Sequence, residues 1–290
     1  MNGQTEELKR LQAVSLEMSA FFAAFCREHG LLCYLCGGGC IGALRHGGFI
    51  PWDDDLDFFM PRQDYERLQT LWTDTERYAL AFPTKTYTDR NMFMTLRDKT
   101  TTMVKDYQQD LDIVHGVAVD IFPLDGCPTG KLKRLDQLFW GSVYQLYCTG
   151  MVPLNHGTAV RLLGKALLAL APSYGIRYRI WHFAQARMSR FPFQDCAYVT
   201  EICAGPRYMK NRYPKAAFAS ALYVPFEDRV LPIPVGYDAY LSMAFGDYMT
   251  PPPPKQRVPG HRALLLDTQH SYKEHEEELK QFKQSRKIRP

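Results

Sequence analysis

Apolar residues at Leu8, Leu11, Val14, Met18, Phe21, Phe22 and Phe25 recur at helical spacing, and Gly30 follows where a helix is capped, so the chain opens with an amphipathic helix. Residues 31–36 are a short apolar run stopped by Gly37, Gly38 and Gly39, the pattern of a buried strand entering a tight turn, with a short helix over 41–45 behind it. Leu56, Phe58 and Met60 alternate with Asp55, Asp57 and Phe59, the period of a strand; Pro61 ends it and 63–73 reads as a helix. Further strands are expected over 87–96 and 101–107, with Arg97, Asp98 and Lys99 as the turn or bulge between them. Another covers 117–122, closed by a turn from Pro123 to Gly126 that Asp125 caps. From Lys131 the period becomes helical, over 131–147, 159–170 and 177–190. Strand texture returns over 223–230 and a helix over 237–245, before four prolines at 251–254 and a charged, solvated stretch from about Lys273.

This order implies an α+β fold with four parts: a core over 1–130, a helical insertion over 131–200, a return to the core over 201–262 and a charged tail over 263–290. With 290 residues, 46% of them hydrophobic, the chain can bury a large core, which excludes a disordered or collagen-like protein. The N-terminus shows no basic start followed by an apolar run, and the longest apolar-rich stretch, 162–171, is interrupted by Lys165; both point to a cytoplasmic protein. The eight cysteines lie mostly in apolar sequence and are expected as buried, reduced thiols. A net charge of +4 does not announce a nucleic-acid partner, but it hides a division. Residues 131–190 hold nine basic side chains against Asp136 alone, a net +8 that leaves −4 for the rest. Such a segment is either a peripheral contact with an anionic membrane or lipid-linked acceptor, or an ordinary solvated helical face.

The chemistry concentrates between Cys36 and Asp57. In a strand Asp55 and Asp57 project to one face, and two adjacent carboxylates repel unless a cation lies between them; a pair of Mg2+ ions, or Mn2+ in their place, meets that need. The plain alternative is a solvated acidic turn, against which the apolar neighbours Leu56, Phe58, Phe59 and Met60 argue. The glycines admit close approach of backbone N–H groups to phosphate, or simply end a strand. A dinucleotide fingerprint at Gly37, Gly39 and Gly42 lacks room for its helix and second strand before Asp57. A calcium loop from Asp53 has Phe58 where glycine is required. Cys33, Cys36 and Cys40 have no second pair with zinc spacing. Asp120, an acid inside an apolar strand, is the candidate third carboxylate, or one partner of a buried ion pair. Arg45, His46, Arg97 and Lys99 are candidate phosphate contacts, each equally a plain surface charge. Trp52 is a candidate cation-binding face, with Trp140, Tyr144 and Trp181 as alternatives more readily explained as core.

These strings resemble the LicD family of phosphocholine transferases. The resemblance runs through Gly37-Gly38, 41–46, the Gly-Phe-Ile-Pro-Trp-Asp-Asp-Asp-Leu-Asp string of 48–57, 60–62, 64–67, 96–99, 120–126, 237–241, 246–249 and 252–253. It departs at Gly39 and Cys40, where the family more often has a small hydroxyl and an aliphatic residue. It implies a nucleotidyltransferase-like mixed sheet of the polymerase β type with flanking helices. It also implies transfer of phosphocholine from a CDP-activated donor, CDP-choline, or of a related phospho-polyol, to a hydroxyl of a cell-surface glycan or teichoic acid. On that pattern Asp55, Asp57 and Asp120 hold two metals, Asp120 helps deprotonate the acceptor, Gly37, Gly38, Arg45, His46, Arg97 and Lys99 meet the nucleotide phosphates, and Trp52 meets choline. The enzyme would act in the cytoplasm or at the inner face of the membrane, with no nucleic acid as partner. Two other readings stay open: transfer of a nucleotidyl group by the same acids, and a silent metal-dependent glycan- or membrane-binding module.

Overall fold

The computed structural model describes residues 2–152, 157–258, 260 and 263–288. The opening helix α1 (Asn2–Glu28) lays its apolar stripe on the sheet, where Phe22 meets Phe58 edge to face at 5.0 Å, and Gly30 turns the chain with φ 62°. Strand β1 (Tyr34–Cys36) feeds directly into α2 (Gly37–His46), so the three glycines open a helix instead of making the expected turn. Absence of side chains lets this helix lie against the aspartate loop. A Cβ on Gly38 would stand 2.0 Å from Asp53 Oδ2, and one on Gly42 2.4 Å from the Gly48 carbonyl oxygen.

Next come β2 (Asp57–Pro61), α3 (Arg62–Leu71), β3 (Tyr78–Ala81), β4 (Met94–Asp98), β5 (Thr102–Lys105) and β6 (Ala118–Cys127). Three expectations are corrected here. Residues 87–93 are loop and β3 takes the sheet edge in their place, while Arg97 and Asp98, expected in a turn, belong to β4. Strand β6 runs through Pro123, which falls between the segment paired with β4 (118–121) and the segment paired with β7 (125–127); on that side its missing N–H leaves no ladder bond unmade. Asp125 therefore caps no turn. It is fully buried and receives two hydrogen bonds from Arg62, at 2.7 and 2.9 Å, a bidentate pair that clamps α3 onto β6.

The helical insertion is α4 (Lys131–Thr149), α5 (Gly157–Ala169) and α6 (Tyr174–Met188), in which α4 and α6 pack antiparallel around a second core containing Tyr144, Trp181, Met188 and Met209. Gln137 ties it to the sheet by donating to the carbonyls of Gly126 and Met188. The chain returns through β7 (Tyr198–Thr200), β8 (Tyr213–Pro214), the hairpin β9 (Ala221–Phe226) and β10 (Arg229–Pro234), where one strand was expected, and α7 (Tyr237–Phe245). The segment expected as a charged tail contributes β11 (Ala263–Asp267), paired with β5, and α8 (Glu276–Ile288).

The main sheet has the order β1-β2-β6-β4-β3, with β2 and β6 parallel and the other pairs antiparallel, and β7 and β8 continue it along the end of β6. The fold is α+β, as expected. Register places Cys36, Asp57, Asp120, Thr95 and Ala81 opposite one another in a single row, hence on one face. Among the described residues no single helix is long and apolar enough to cross a membrane.

Candidate active site

Asp57 begins β2 and lies opposite Asp120 in the parallel β2/β6 pair, about 4.8 Å away at the backbone. Asp55 stands in the extended segment before β2, not within the strand as the alternation suggested, yet it acts strongly on Asp57. Burial, then Asp55, then Asp120 push the Asp57 carboxyl well above the ordinary carboxylate range, while Lys105 pulls it back. Carboxylate oxygens of Asp53, Asp54 and Asp55 also lie within 4.8 Å of one another. Asp120 Oδ1 is buried with no hydrogen-bond partner among the described residues, and Oδ2 is 3.9 Å from Lys105 Nζ. Crowded acids, of which Asp57 resists ionisation, together with the buried Asp120 oxygen lacking a donor, form a hard oxygen-ligand set that fits Mg2+ or Mn2+.

Cys36 ends β1 beside Asp57, and α2 starts at the next residue with no side-chain cap, so its first backbone N–H groups end next to the aspartate row. Gly37 N–H donates to Tyr240 Oη at 3.0 Å, which fixes the start of the helix. Behind Tyr240 the Tyr213 ring lies edge-on at 5.1 Å, and its hydroxyl donates to the buried Glu201, whose carboxyl burial pushes up to about 7. A helix start beside a row of acids is the kind of place where backbone N–H groups and bound cations meet a phosphate.

The candidate cations separate. Arg45 donates to the Tyr248 carbonyl at 2.9 Å, and His46, held below its ordinary pKa by burial and then by Arg45, stands edge-on to Trp52 at 6.5 Å. Arg97 is fully buried: it binds Asp89 at 2.8 Å and Thr95 Oγ1 at 3.0 Å, so it braces the row from inside and its guanidinium is committed to the protein. Lys99 donates to the Thr75 carbonyl in the turn before β3. Trp52 already carries a cation, the Arg257 guanidinium 5.3 Å from its ring centre. Tyr144 and Trp181 are buried in the second core. The sequence reading missed Lys105, Glu201 and Arg257. Lys105 and Glu201 are charges bordering apolar runs, the signal that singled out Asp120, whereas nothing local marks Arg257.

The nucleotidyltransferase domain of the LicD/FKTN/FKRP family matches residues 30–133, which span every element from β1 to β6. The lipopolysaccharide cholinephosphotransferase LicD of Haemophilus influenzae is 27% identical over 272 residues, covering 88% of this chain and 96% of that protein. The glycine-opened helix and the aspartate row therefore lie within the residues that match the LicD-family nucleotidyltransferase domain, and the chain is similar to LicD over most of its length.

Proposed function

We propose that the protein transfers phosphocholine from CDP-choline to a hydroxyl of a cell-surface glycan. The observation that carries this reading is the register of Asp57 against Asp120, with Asp55 beside them and the start of α2 adjoining. The cholinephosphotransferase alike over most of the chain supports the head group and a lipopolysaccharide-type acceptor. A nucleotide-activated donor places the reaction in the cytoplasm.

Asp55, Asp57 and Asp120 would hold two Mg2+ ions, which supply charge neutralisation at the attacking and leaving oxygens. The backbone N–H groups of Gly38 and Gly39 at the start of α2 bind the donor pyrophosphate. Asp120 takes the proton of the acceptor hydroxyl. The new bond forms between that oxygen and the phosphocholine phosphorus, and the bond from this phosphorus to the bridging oxygen breaks, releasing CMP. Lys105, 3.9 Å from Asp120, offsets the anionic charge of the donor. Arg45 and His46 lie at the far end of α2, where Arg45 is engaged by the Tyr248 carbonyl. Trp52, whose ring already meets the Arg257 guanidinium, would offer the same cation-binding surface to the quaternary ammonium.

The test uses CDP-choline labelled in both cytosine and choline, with Mg2+ and a lipopolysaccharide acceptor. Choline label on the acceptor and cytosine label in free CMP are expected. Cytosine label on the acceptor would replace this reading with nucleotidyl transfer, and absence of Mg2+-linked nucleotide binding would leave a binding module.

A further inference from the structure

Each of α4, α5 and α6 turns apolar and basic side chains to water. α5 carries no acidic residue and a leucine-rich sequence, yet among its residues only Gly164 is buried. Leu162 and Leu163 are each 60% exposed, between the exposed bases Arg161 and Lys165. α4 repeats the arrangement with Leu132, Leu135 and Phe139, spaced as one helical stripe and flanked by exposed Lys131 and Lys133; Leu132 is 83% exposed. Phe139 packs on Trp140 at 5.1 Å and Trp140 on Phe183 of α6 at 5.2 Å, so the stripe continues onto α6, where Arg179 lies one turn from exposed Ile176 and Phe183. The acid of this region, Asp136, is engaged by Arg190 at 2.9 Å and Arg187 at 3.7 Å, and Arg134 is buried against Gln137 and Thr200.

We infer that α4–α6 is a docking unit for an anionic lipid surface, with its leucines and phenylalanines entering the headgroup region and its lysines and arginines meeting acidic lipids. Helix length decides between lying on a bilayer and spanning it. α5 and α6, with 13 and 15 residues and a 115° bend between them, are each about 20 Å long, well short of the ~30 Å hydrocarbon core. Charge decides the occupant. The segment 131–190 has a net +8 in a chain that is otherwise −4, so a second copy would set like charge against like, whereas an acidic lipid surface is complementary.

The full chain is floated with phosphatidylcholine vesicles containing phosphatidylglycerol and, separately, with phosphatidylcholine alone. It is expected to rise with the anionic vesicles and not the neutral ones, and to be released by high salt. The pair Leu162→Ser and Leu163→Ser should lower partitioning about tenfold or more, and so should Lys131→Glu with Lys133→Glu, with circular dichroism and melting temperature unchanged. No flotation with anionic vesicles, or flotation unaltered in both variants, overturns the assignment. So does sedimentation showing a lipid-free dimer that the leucine variant dissociates, since the face would then belong to a second copy. No turnover enters this experiment, so its result stands apart from that of the transferase assay.

Discussion

Replacing Asp57 by Asn should abolish turnover and at the same time stabilise the metal-free protein. Asp57 and Asp120 face each other on adjacent strands, and two charges about 5 Å apart repel by roughly 3 kcal/mol at an effective dielectric constant of about 20. Lys105, 3.9 Å from Asp120, offsets part of this, so relief of about 1–3 kcal/mol is expected, a rise of roughly 2–6 °C in melting temperature. The sign follows from the direction of the shift. A carboxyl whose folded pKa is raised contributes stability fully present below its unfolded pKa and lost as pH rises through the folded value. The wild-type protein therefore loses this contribution on going alkaline, the Asn variant does not, and the gap between them widens with pH. Calorimetric melting in EDTA and in Mg2+ reads both effects. Wild type should gain about 2.7 kcal/mol at a hundredfold excess of Mg2+ over its dissociation constant, and the variant little. A variant that melts below wild type in EDTA while keeping the full Mg2+ response would refute a metal site built on this carboxylate.

Lys105→Met keeps the aliphatic stem but removes the charge beside Asp120, so kcat should fall about 10²-fold while the Mg2+ concentration for half-activity decreases, because the site becomes more negative. Lys105→Arg should restore part of kcat, and an unchanged kcat in the Met variant would make the lysine a bystander. Glu201→Gln should remove a stability loss of about 3 kcal/mol that wild type undergoes between pH 4.5, the ordinary glutamate value, and about 7, where the buried carboxyl ionises. Urea unfolding at pH 5 and pH 8 measures this, and equal slopes with pH in the two proteins would count against it.

The reach of the sequence differs between parts of the molecule for a physical reason. Helical periodicity is local, and α1, α3, α4, α6 and α7 form close to where spacing of apolar residues places them. The Asp-x-Asp string and the glycines were legible because their chemistry depends on residue type at short separation. Local pattern could not show that Gly37–Gly39 open a helix, since only the approach of Asp53 and Gly48 shows why side chains are absent at Gly38 and Gly42. Nor could it place Asp125, whose neighbourhood of Pro, Asp and Gly has turn chemistry; Arg62, 63 residues earlier, supplies the pairing that holds it in a strand. Arg97 was a plausible phosphate contact until the loop before β4 brought Asp89 to it. Lys105 joined the site because β5 lies beside the acids, and Arg257 because the chain after α7 crosses Trp52. By itself the sequence determined most of the helices and singled out the carboxylates proposed for the site. Tertiary structure alone decided which charges face one another, because strand order and register depend on contacts between residues far apart in the chain, and those contacts leave no local period.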